Sequence, residues 1–251
     1  MKKLAFIILA AGKGIRMKSN KPKVVFEFDG QPMINRVIKT ARMINSEKIV
    51  VVVGYKKEMV IEVIPKDKNI YFIEQKEQNG TGHAVMVTRK LFDNFYGDVF
   101  ILCGDVPLLR YESLKGMLKK HRETNSACTI LTAIMEDAFK YGRIVRNKKG
   151  NVLKIVEFKD ASEKEKLIKE INTGIYCFDS KNLFSALSKI NNKNVQKEYY
   201  LTDILEILNK ENKTVVSVVL EDIIEASGVN SRKQLSTLEK EYLKNKNYYD
   251  K

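Results

Sequence analysis

The chain has 251 residues, 44% of them hydrophobic, which is enough for a sizeable buried core and argues against disorder or a peptide-sized scaffold. Its formal net charge of +14, from 45 Lys and Arg against 31 Asp and Glu, suits a nucleic-acid binder, a membrane-surface protein or an enzyme of polyanionic small molecules. No apolar run approaches the roughly 20 residues that cross a bilayer, and no signal-peptide pattern is visible, so we expect a cytoplasmic protein with no membrane insertion.

Two further features of the composition narrow these classes. The cysteines Cys103, Cys128 and Cys177 are odd in number and lack metal-type spacing, so neither a disulfide framework nor a zinc site is expected. The lysines are spread along the chain without an RNP-type, KH-type or zinc-finger pattern. Nucleic acid is therefore the weaker interpretation of the charge, and a solvated Lys-rich surface accounts for much of it.

The first half of the chain alternates strand-length apolar runs with helical periodicity, which predicts βαβ units and a parallel sheet. Residues Leu4–Leu9 and Lys48–Val53 are continuous apolar runs, typical of strands covered on both faces. The segment after Pro32 predicts a crossover helix. Its apolar side is formed by Met33, Val37, Ile38, Ala41 and Ile44. The strand "IYFIEQ", the helix "GTGHAVMVTRKLF" and the strand "DVFILCGD" continue the series.

The second half adds antiparallel strands. They are "ACTILTAIM", a hairpin over "GRIVRNKKGNVLKIVEF" that turns at "NKKGN", and "EINTGIYCFD". The expected class is α/β, with a mixed, mostly parallel central sheet flanked by helices. We expect one domain over residues 1–226 and a charged, solvated helical tail over 227–251.

The loop "LAAGKGIRM" is the first candidate for chemistry. Gly12 and Gly14 let backbone N–H groups approach an anion, and Lys13, Arg16 and Lys23 add positive charge. The loop matches neither the Walker A pattern nor GxGxxG, since Met17 takes the third glycine position. By itself the pattern leaves both a phosphate cradle and a basic surface turn open.

Two other segments place polar groups after predicted strands. Asp105 follows the buried strand "FILC" at the sheet edge where α/β ligands bind, so it can hold Mg²⁺ or merely cap a turn. Gly80-Thr81-Gly82 begins a predicted helix, and Gln75 carries an amide that can pair with a base edge. His83 and His121 are better explained as packed or capping residues than as members of a Ser-His-Asp triad.

Eight motifs in order and spacing resemble the bacterial N-acetylglucosamine-1-phosphate uridylyltransferases. They are "LAAGKGIRMKS…PKVV", "EQNGTGHAV", "GDVPL", "YGRIVR", "IVEFKDA", "EINTGIY", "EYYLTDI" and "GVNSRKQL". The resemblance implies a Rossmann-like nucleotidyltransferase fold and an enzyme that joins UTP to a sugar 1-phosphate, releases pyrophosphate and makes UDP-N-acetylglucosamine for cell-wall (peptidoglycan) precursors.

The resemblance also implies a role for each matching residue. Arg16 and Lys23 would be catalytic and stabilise charge on the nucleotide phosphates. Nucleotide contacts would come from Ala10, Ala11, Gly12, Gln75, Gly80 and Thr81. Asp105 and Asn230 would hold the cofactor Mg²⁺. The amino sugar would be bound by Gly142, Glu157, Asn172, Thr173 and Tyr199. Without the resemblance, Gly142 reads as a turn glycine, Glu157 and Asn172 as strand surface, and Tyr199 as helix packing.

The chemistry suits these residue types, because a sugar phosphate is already an oxyanion nucleophile and needs no deprotonating base. The reaction needs in-line positioning of two anions and neutralisation of charge on the α-phosphate and the leaving pyrophosphate. The lack of a convincing acid–base pair therefore supports this reaction class.

The sequence departs from the family at three positions near the expected pocket. Ile15 replaces the usual Thr, Phe26 stands where a His is frequent, and Cys103 replaces the Tyr that commonly precedes "GDVP". These three changes bear on the preference among related substrates more than on the reaction class. Many family members continue into a hexapeptide-repeat acetyltransferase; we expect none here, so that acetylation would belong to a separate acetyltransferase protein and no trimer is assumed.

Three other hypotheses remain. The chain could be a relative that uses another sugar 1-phosphate or another NTP, or a non-catalytic nucleotide-sugar-binding subunit. A nucleic-acid binder rests on the charge of +14 alone. Turnover with a panel of NTPs and sugar phosphates would separate these hypotheses.

Overall fold

A computed structural model describes residues 2–250. The strands are β1 (Lys3–Ala10), β2 (Glu27–Phe28), β3 (Gln31–Pro32), β4 (Lys48–Val53), β5 (Ile70–Glu74), β6 (Gly97–Cys103), β7 (Cys128–Ile134), β8 (Arg143–Arg146), β9 (Val152–Val156), β10 (Glu170–Asp179) and β11 (Val215–Val219). The α-helices are α1 (Met33–Met43), α2 (Lys57–Val63), α3 (Thr81–Met86), α4 (Tyr111–Glu123), α5 (Glu163–Lys166), α6 (Ser180–Leu187), α7 (Asp203–Lys210), α8 (Arg232–Lys244) and α9 (Lys246–Tyr249). Short 3-10 turns cover Ile15–Met17, Lys23–Val25, Arg89–Phe92 and Ile223–Ala226.

One large sheet organises these elements. Its strands lie in the order β11-β7-β10-β6-β1-β4-β5, and the hairpin β8–β9 attaches to β10. The pairs β1–β4, β1–β6, β4–β5 and β7–β11 are parallel, whereas β10 runs antiparallel to both β6 and β7. The sheet is therefore mixed and mostly parallel along this path, and the predicted fold class is confirmed.

Both faces of the central strands are buried, as their uninterrupted apolar sequences predict. In β1, Phe6 and Ile8 join the hydrophobic cluster on one face, and Ala5 and Ile7 join the cluster on the other. Helices α1 and α4 cover the first face, and α3, α6 and α7 cover the second. None of the helices between residues 2 and 250 has the length and apolar content that crossing a bilayer requires.

The helix predicted over "GTGHAVMVTRKLF" is wrong in its extent. Helix α3 ends at Met86, and Arg89–Phe92 forms a 3-10 turn instead. The buried Thr88 hydroxyl donates a hydrogen bond to the Val85 carbonyl at 2.7 Å. Such a side-chain bond competes with the regular helical ladder, so the helix breaks at this point.

The end of the described chain also differs from the prediction. Residues 232–244 and 246–249 are helical and mostly exposed, but the segment is not solvated throughout, because Tyr242 is completely buried and Tyr249 is 8% exposed. The apolar side of α8 packs on the rest of the fold in a third hydrophobic cluster. Leu235, Leu238 and Tyr242 follow the three- and four-residue spacing of an apolar helix face, but the many charged residues around them obscure this pattern in the sequence.

Candidate active site

Three parallel strands bring predicted site residues to a single edge of the sheet. Ala10 ends β1, Gln75 directly follows β5, and Asp105 comes two residues after β6. Strand β10 runs opposite to β6, so its early residue Asn172 also lies at this edge. The carboxyl edge of such a sheet is where α/β proteins bind ligands.

Lys23, Asp105 and Asn230 form the first group of site residues. The Lys23 ammonium pairs with one carboxylate oxygen of Asp105 and donates to Asn230 Oδ1 at 2.8 Å. The Lys23 and Asp105 side chains are only 18% and 15% exposed. Residues far apart in the sequence therefore share one partly buried polar contact.

Backbone contacts hold this group in place. The Val229 N–H donates to the Asp105 carbonyl at 3.0 Å, which fixes the loop that carries Asn230. Gly14 has a φ of +64°, and a Cβ there would lie 2.6 Å from the Lys23 Cβ. Only glycine allows the first loop to pass this close to Lys23.

The first group contains oxygen atoms that could hold a divalent cation. One oxygen of Asp105 and one of Asn230 converge on a single cation, the Lys23 ammonium. Mg²⁺ is commonly held by one or two protein oxygens, with water and substrate phosphate completing its shell. Within residues 2–250 no cluster of three or more His, Cys, Asp and Glu offers an alternative metal site.

Gln75 is the centre of the second group. It is 3% exposed, and its amide nitrogen donates to the Gly80 carbonyl and lies 3.1 Å from His83 Nδ1. Because the Gly80 carbonyl can only accept a hydrogen bond, the orientation of the Gln75 amide is fixed. His83 Nδ1 then acts as the second acceptor for the amide nitrogen. The Gln75 amide oxygen remains available for a ligand. His83 is thus a positioning neighbour of Gln75 and a packed residue, as predicted.

The Gly-Thr-Gly turn packs tightly on the segment that contains Tyr199. Gly80 has a φ of +104°, and a Cβ there would lie 2.6 Å from the Tyr199 carbonyl oxygen. The Gly82 N–H donates to that carbonyl at 2.7 Å, and the Thr81 hydroxyl accepts from the Leu201 N–H. The Tyr199 ring lies 6.4 Å from the His83 ring, which places it in this second group.

Gly142, Glu157, Asn172 and Thr173 form the third group. The Asn172 N–H donates to the Gly142 carbonyl at 2.9 Å, and a Cβ on Gly142 would lie 3.5 Å from a Glu157 carboxylate oxygen. Asn172 Oδ1 accepts from the Gly174 N–H and from the Tyr176 hydroxyl. Thr173 is 6% exposed and donates to the Leu131 carbonyl, so its side chain is structural in this conformation.

Thr202 connects the second and third groups, but it was not predicted as a site residue. It follows Tyr199 by three residues, and its hydroxyl donates to Glu157 Oε1 at 3.2 Å. Burial raises the pKa of the Glu157 carboxyl, and the Thr202 bond partly offsets this rise. Asp203, next in the chain, has a pKa raised to about 6 by burial, with Glu206 and Asp160 adding to it. The signal for these residues was the motif "EYYLTD" itself.

Arg16 and its neighbours form the open side of the site. Arg16 and Gly12 are exposed, while Ala10 and Ala11 are buried. Burial and the Asp105 charge raise the pKa of the half-buried Tyr141 phenol, and Arg16 acts against this rise. Tyr141 therefore lies between the loop, Asp105 and the third group. It precedes Gly142 in "YGRIV" and was not predicted.

The three departures from the family pattern have different surroundings. The Ile15 side chain is 78% exposed. Phe26 lies 5.9 Å from the Arg232 guanidinium. Cys103 donates weakly to the Gly174 carbonyl, and burial raises the pKa of its thiol to about 12, so it is protonated at neutral pH and is not a nucleophile.

His121 lies away from the site. It is 1% exposed, and its Nδ1 is 2.9 Å from the Thr129 hydroxyl. Its Nε2 is 3.6 Å from a carboxylate oxygen of Asp98, which is the second residue of β6 and so lies at the opposite end of that strand from Asp105. His121 is a packed residue, as predicted.

Known proteins with similar sequences identify the class of this chain. The sequence profile of the family described as Nucleotidyl transferase matches residues 5–224, so the chain belongs to the nucleotidyl transferase family. Its curated relatives include two proteins named "Bifunctional protein GlmU". The one from Caldicellulosiruptor saccharolyticus is 48% identical over 96% of this chain and 52% of its own length. The one from Streptococcus gordonii is 48% identical over 93% of this chain and 50% of its own length.

These relatives are longer than the chain, which spans about half of their length. Solved structures support the fold independently. A UDP-glucose pyrophosphorylase complexed with UDP-glucose superposes with a TM-score of 0.77 at 18% identity, over 98% of this chain and 100% of that one. The enzyme from Acinetobacter baumannii gives a TM-score of 0.71 at 17% identity, over 96% and 93% of the two chains.

Proposed function

We propose that this protein transfers a uridylyl group from UTP to N-acetylglucosamine 1-phosphate and releases pyrophosphate. The observation that carries the proposal is the arrangement of the three groups along one sheet edge. A cation site lies at Asp105, a buried amide lies at Gln75, and a polar cradle lies at Asn172. From β5 to β10 the order is the Gln75 amide, the Asp105 cation site and the Asn172 cradle, which suits the base, triphosphate and sugar of the two substrates. The eight motifs and the 48% identity to proteins named GlmU support the same choice.

Asp105 and Asn230 would hold Mg²⁺. The bound ion would neutralise charge on the α-phosphate and on the departing pyrophosphate. Lys23 must release these two oxygens for a metal ion to use them, and its freed ammonium then pairs with phosphate. Arg16, which is exposed on the neighbouring loop, supplies a second cation at the same place.

Gln75 would select the base. Its amide nitrogen is committed to Gly80 and His83, so its oxygen is left to accept a hydrogen bond from the ligand. Uracil has an N3–H donor, whereas the N3 of cytosine is an acceptor and would oppose the Gln75 oxygen. The backbone of Ala10, Ala11 and Gly12, together with that of Gly80 and Thr81, would enclose the nucleoside.

The amino sugar would be bound by Gly142, Glu157, Asn172 and Tyr199, while Thr173 would support this pocket through its bond to the Leu131 carbonyl. The Glu157 carboxylate can accept from a sugar hydroxyl, and the close approach of Gly142 leaves backbone within reach of a ligand. Bound in this way, the sugar phosphate would point one oxygen at the α-phosphorus. The attack is in line, forms the new P–O bond and expels pyrophosphate, and no proton must be removed from the nucleophile.

A substrate panel tests this proposal. Each of UTP, CTP, ATP and GTP would be combined with N-acetylglucosamine, glucose or galactosamine 1-phosphate, with and without Mg²⁺, and pyrophosphate release measured. We expect the highest kcat/KM for UTP with N-acetylglucosamine 1-phosphate and no turnover without the metal. A preference for another pair would assign a different nucleotidyl transfer. Binding of UDP-N-acetylglucosamine without turnover of any pair would identify a non-catalytic subunit.

The setting of the reaction follows from its substrates. We propose that the protein acts in the cytoplasm on soluble phosphorylated precursors of the cell envelope, that residues 1–226 carry the reaction and that nucleic acid is not a partner. Failure to bind RNA or DNA in a salt-sensitive way would agree with this, and tight salt-sensitive binding would oppose it.

A further inference from the structure

We propose that Leu238 and Tyr242, on helix α8, are positioning residues that hold Arg16 and Asn230 in the site. We name the apolar side of α8, formed by Leu235, Leu238 and Tyr242, the α8 anchor. Neither Leu238 nor Tyr242 belongs to the three site groups. The inference rests on the proposed function, because Arg16 and Asn230 have their roles there.

The α8 anchor packs into a small hydrophobic cluster that is separate from the two clusters on the sheet faces. Tyr242 is completely buried, and Leu238 is 7% exposed. The buried members of this cluster are Met17, Phe28, Met33, Leu108, Val229, Leu238, Tyr242 and Tyr249. The cluster therefore joins segments from the first, middle and last parts of the chain.

Two members of this cluster are direct chain neighbours of site residues. Met17 follows Arg16, and Val229 precedes Asn230. Both are 1% exposed, so each fixes the backbone of the residue beside it through close packing. The cluster thus includes a residue from each of the two loops that carry Arg16 and Asn230, the residues that would contact phosphate and metal.

Hydrogen bonds at the start of α8 strengthen this connection. The Ser231 hydroxyl accepts from the Gln234 N–H and caps the helix. The Gln234 side chain in turn accepts from the Asn230 N–H at 2.9 Å. Asn230 is therefore held by the first turn of α8, and a shift of this helix moves it directly.

A polar network around Tyr242 holds the C-terminal end of the α8 anchor. The Tyr242 hydroxyl lies 2.8 Å from an Asp29 oxygen and 2.7 Å from an Asp250 oxygen. The Arg36 guanidinium lies 4.7 Å from the centre of the Tyr242 ring and donates to Asp250 at 2.8 Å. This network ties α8 and α9 to α1. It gives the helix one docked position relative to the site.

The test compares two anchor variants with two controls. Leu238→Ala removes packing, and Tyr242→Phe removes only the hydroxyl. Leu243→Ala changes a 61% exposed residue of the same helix, and Leu183→Ala removes equally buried packing from α6 in a different cluster. The hydrogen-exchange rates of the Val229 and Asn230 amides measure, without substrate, how firmly the loop backbone is held. Mn²⁺ affinity in the presence of UTP and the steady-state constants report the site.

We expect both anchor variants to speed exchange of these two amides and to weaken Mn²⁺ binding by about tenfold. The kcat should fall in proportion, with little change in KM for the sugar phosphate. Leu183→Ala should lower the thermal midpoint without these effects, and Leu243→Ala should change nothing. Equal amide exchange and Mn²⁺ affinity in the anchor variants and in Leu183→Ala would overturn the inference. If the unaltered protein has no turnover, the proposed function fails, while the exchange measurement still decides whether the α8 anchor holds Asn230.

Discussion

Arg16 is exposed on the first loop and makes no ion pair or hydrogen bond with the rest of the chain between residues 2 and 250. Such a residue adds little to stability, so its loss should affect only the reaction. We expect Arg16→Ala to lower kcat about 100-fold or more and to leave the thermal midpoint unchanged, because one cation would be lost from the transition state. Arg16→Lys should recover part of the rate. Lys21→Ala, an exposed neighbour, should have no effect; an equal loss in that control would point to general surface charge.

Gly80 is a second residue at which conformation and function meet. Its φ of +104° and the near contact with the Tyr199 carbonyl exclude a side chain. We expect Gly80→Ala to cost about 1–3 kcal/mol of unfolding free energy and to raise the KM for UTP. Gly116, in α4, has no atom within 4 Å of its Cβ position, so Gly116→Ala should instead stabilise slightly. Denaturant unfolding of both variants would measure this difference, and equal effects would contradict the role given to Gly80.

Individual site residues could be predicted from motifs, but their contacts could not. The family resemblance implied phosphate contact for Lys23 and metal binding for Asp105 with Asn230. The structure joins all three in one polar contact across as many as 207 residues. No local pattern carries that information, because it depends on how β1, β6 and the loop before α8 pack. Tyr141 and Thr202 stand inside the motifs "YGRIVR" and "EYYLTDI", but their contacts with the site likewise depend on packing.

At the scale of elements, β6 and α4 are linked by a buried carboxylate. Asp98, at the start of β6, is completely buried and bonds Arg122 at 2.7 Å. Burial by itself would raise the pKa of the Asp98 carboxyl, but the Arg122 hydrogen bond and the close contacts with Lys2 and His121 outweigh it and hold the pKa well below its ordinary value. The ionised carboxylate is therefore bound more favourably in the folded chain than in the unfolded one.

This arrangement predicts the pH dependence of Asp98→Asn. The folded-state pKa is below the unfolded value of 3.8, so the stabilisation is complete above that value and is lost as the pH falls below it. We expect Asp98→Asn to cost about 2–4 kcal/mol at neutral pH. The difference from the unaltered protein should shrink steadily between about pH 4 and pH 2. Urea unfolding across this range would check it; a difference that is constant with pH would contradict the assignment to an ionised Asp98.

Most strands could be predicted from the sequence, because their apolar runs are long and bounded by turn residues. Strand β1 and the hairpin β8–β9 are confirmed. Strand β11 was not predicted, because a short apolar run gives no helix or strand period of its own. It forms by pairing with β7, more than 80 residues earlier. The docking of α8 likewise depends on contacts that only the folded chain makes.

At the scale of the whole molecule, part of the net charge of +14 comes from lysines beside the first loop. Lys13 and Lys56 both lie over the Tyr55 ring, at 5.5 and 5.8 Å from its centre. Tyr55 donates its N–H to the Ala11 carbonyl, so this cationic surface borders the site. A positive entrance of this kind attracts two anionic substrates and lowers their mutual repulsion.

We propose that the three groups along the sheet edge bring UTP and a sugar 1-phosphate together at the α-phosphorus. A single-turnover reaction with UTP labelled at the α-phosphate, N-acetylglucosamine 1-phosphate and Mg²⁺ tests it most directly. We predict that all transferred label appears in UDP-N-acetylglucosamine, that the released pyrophosphate is unlabelled, and that Asp105→Asn abolishes the transfer. Label in free UMP, or no transfer by the unaltered protein, would contradict the claim.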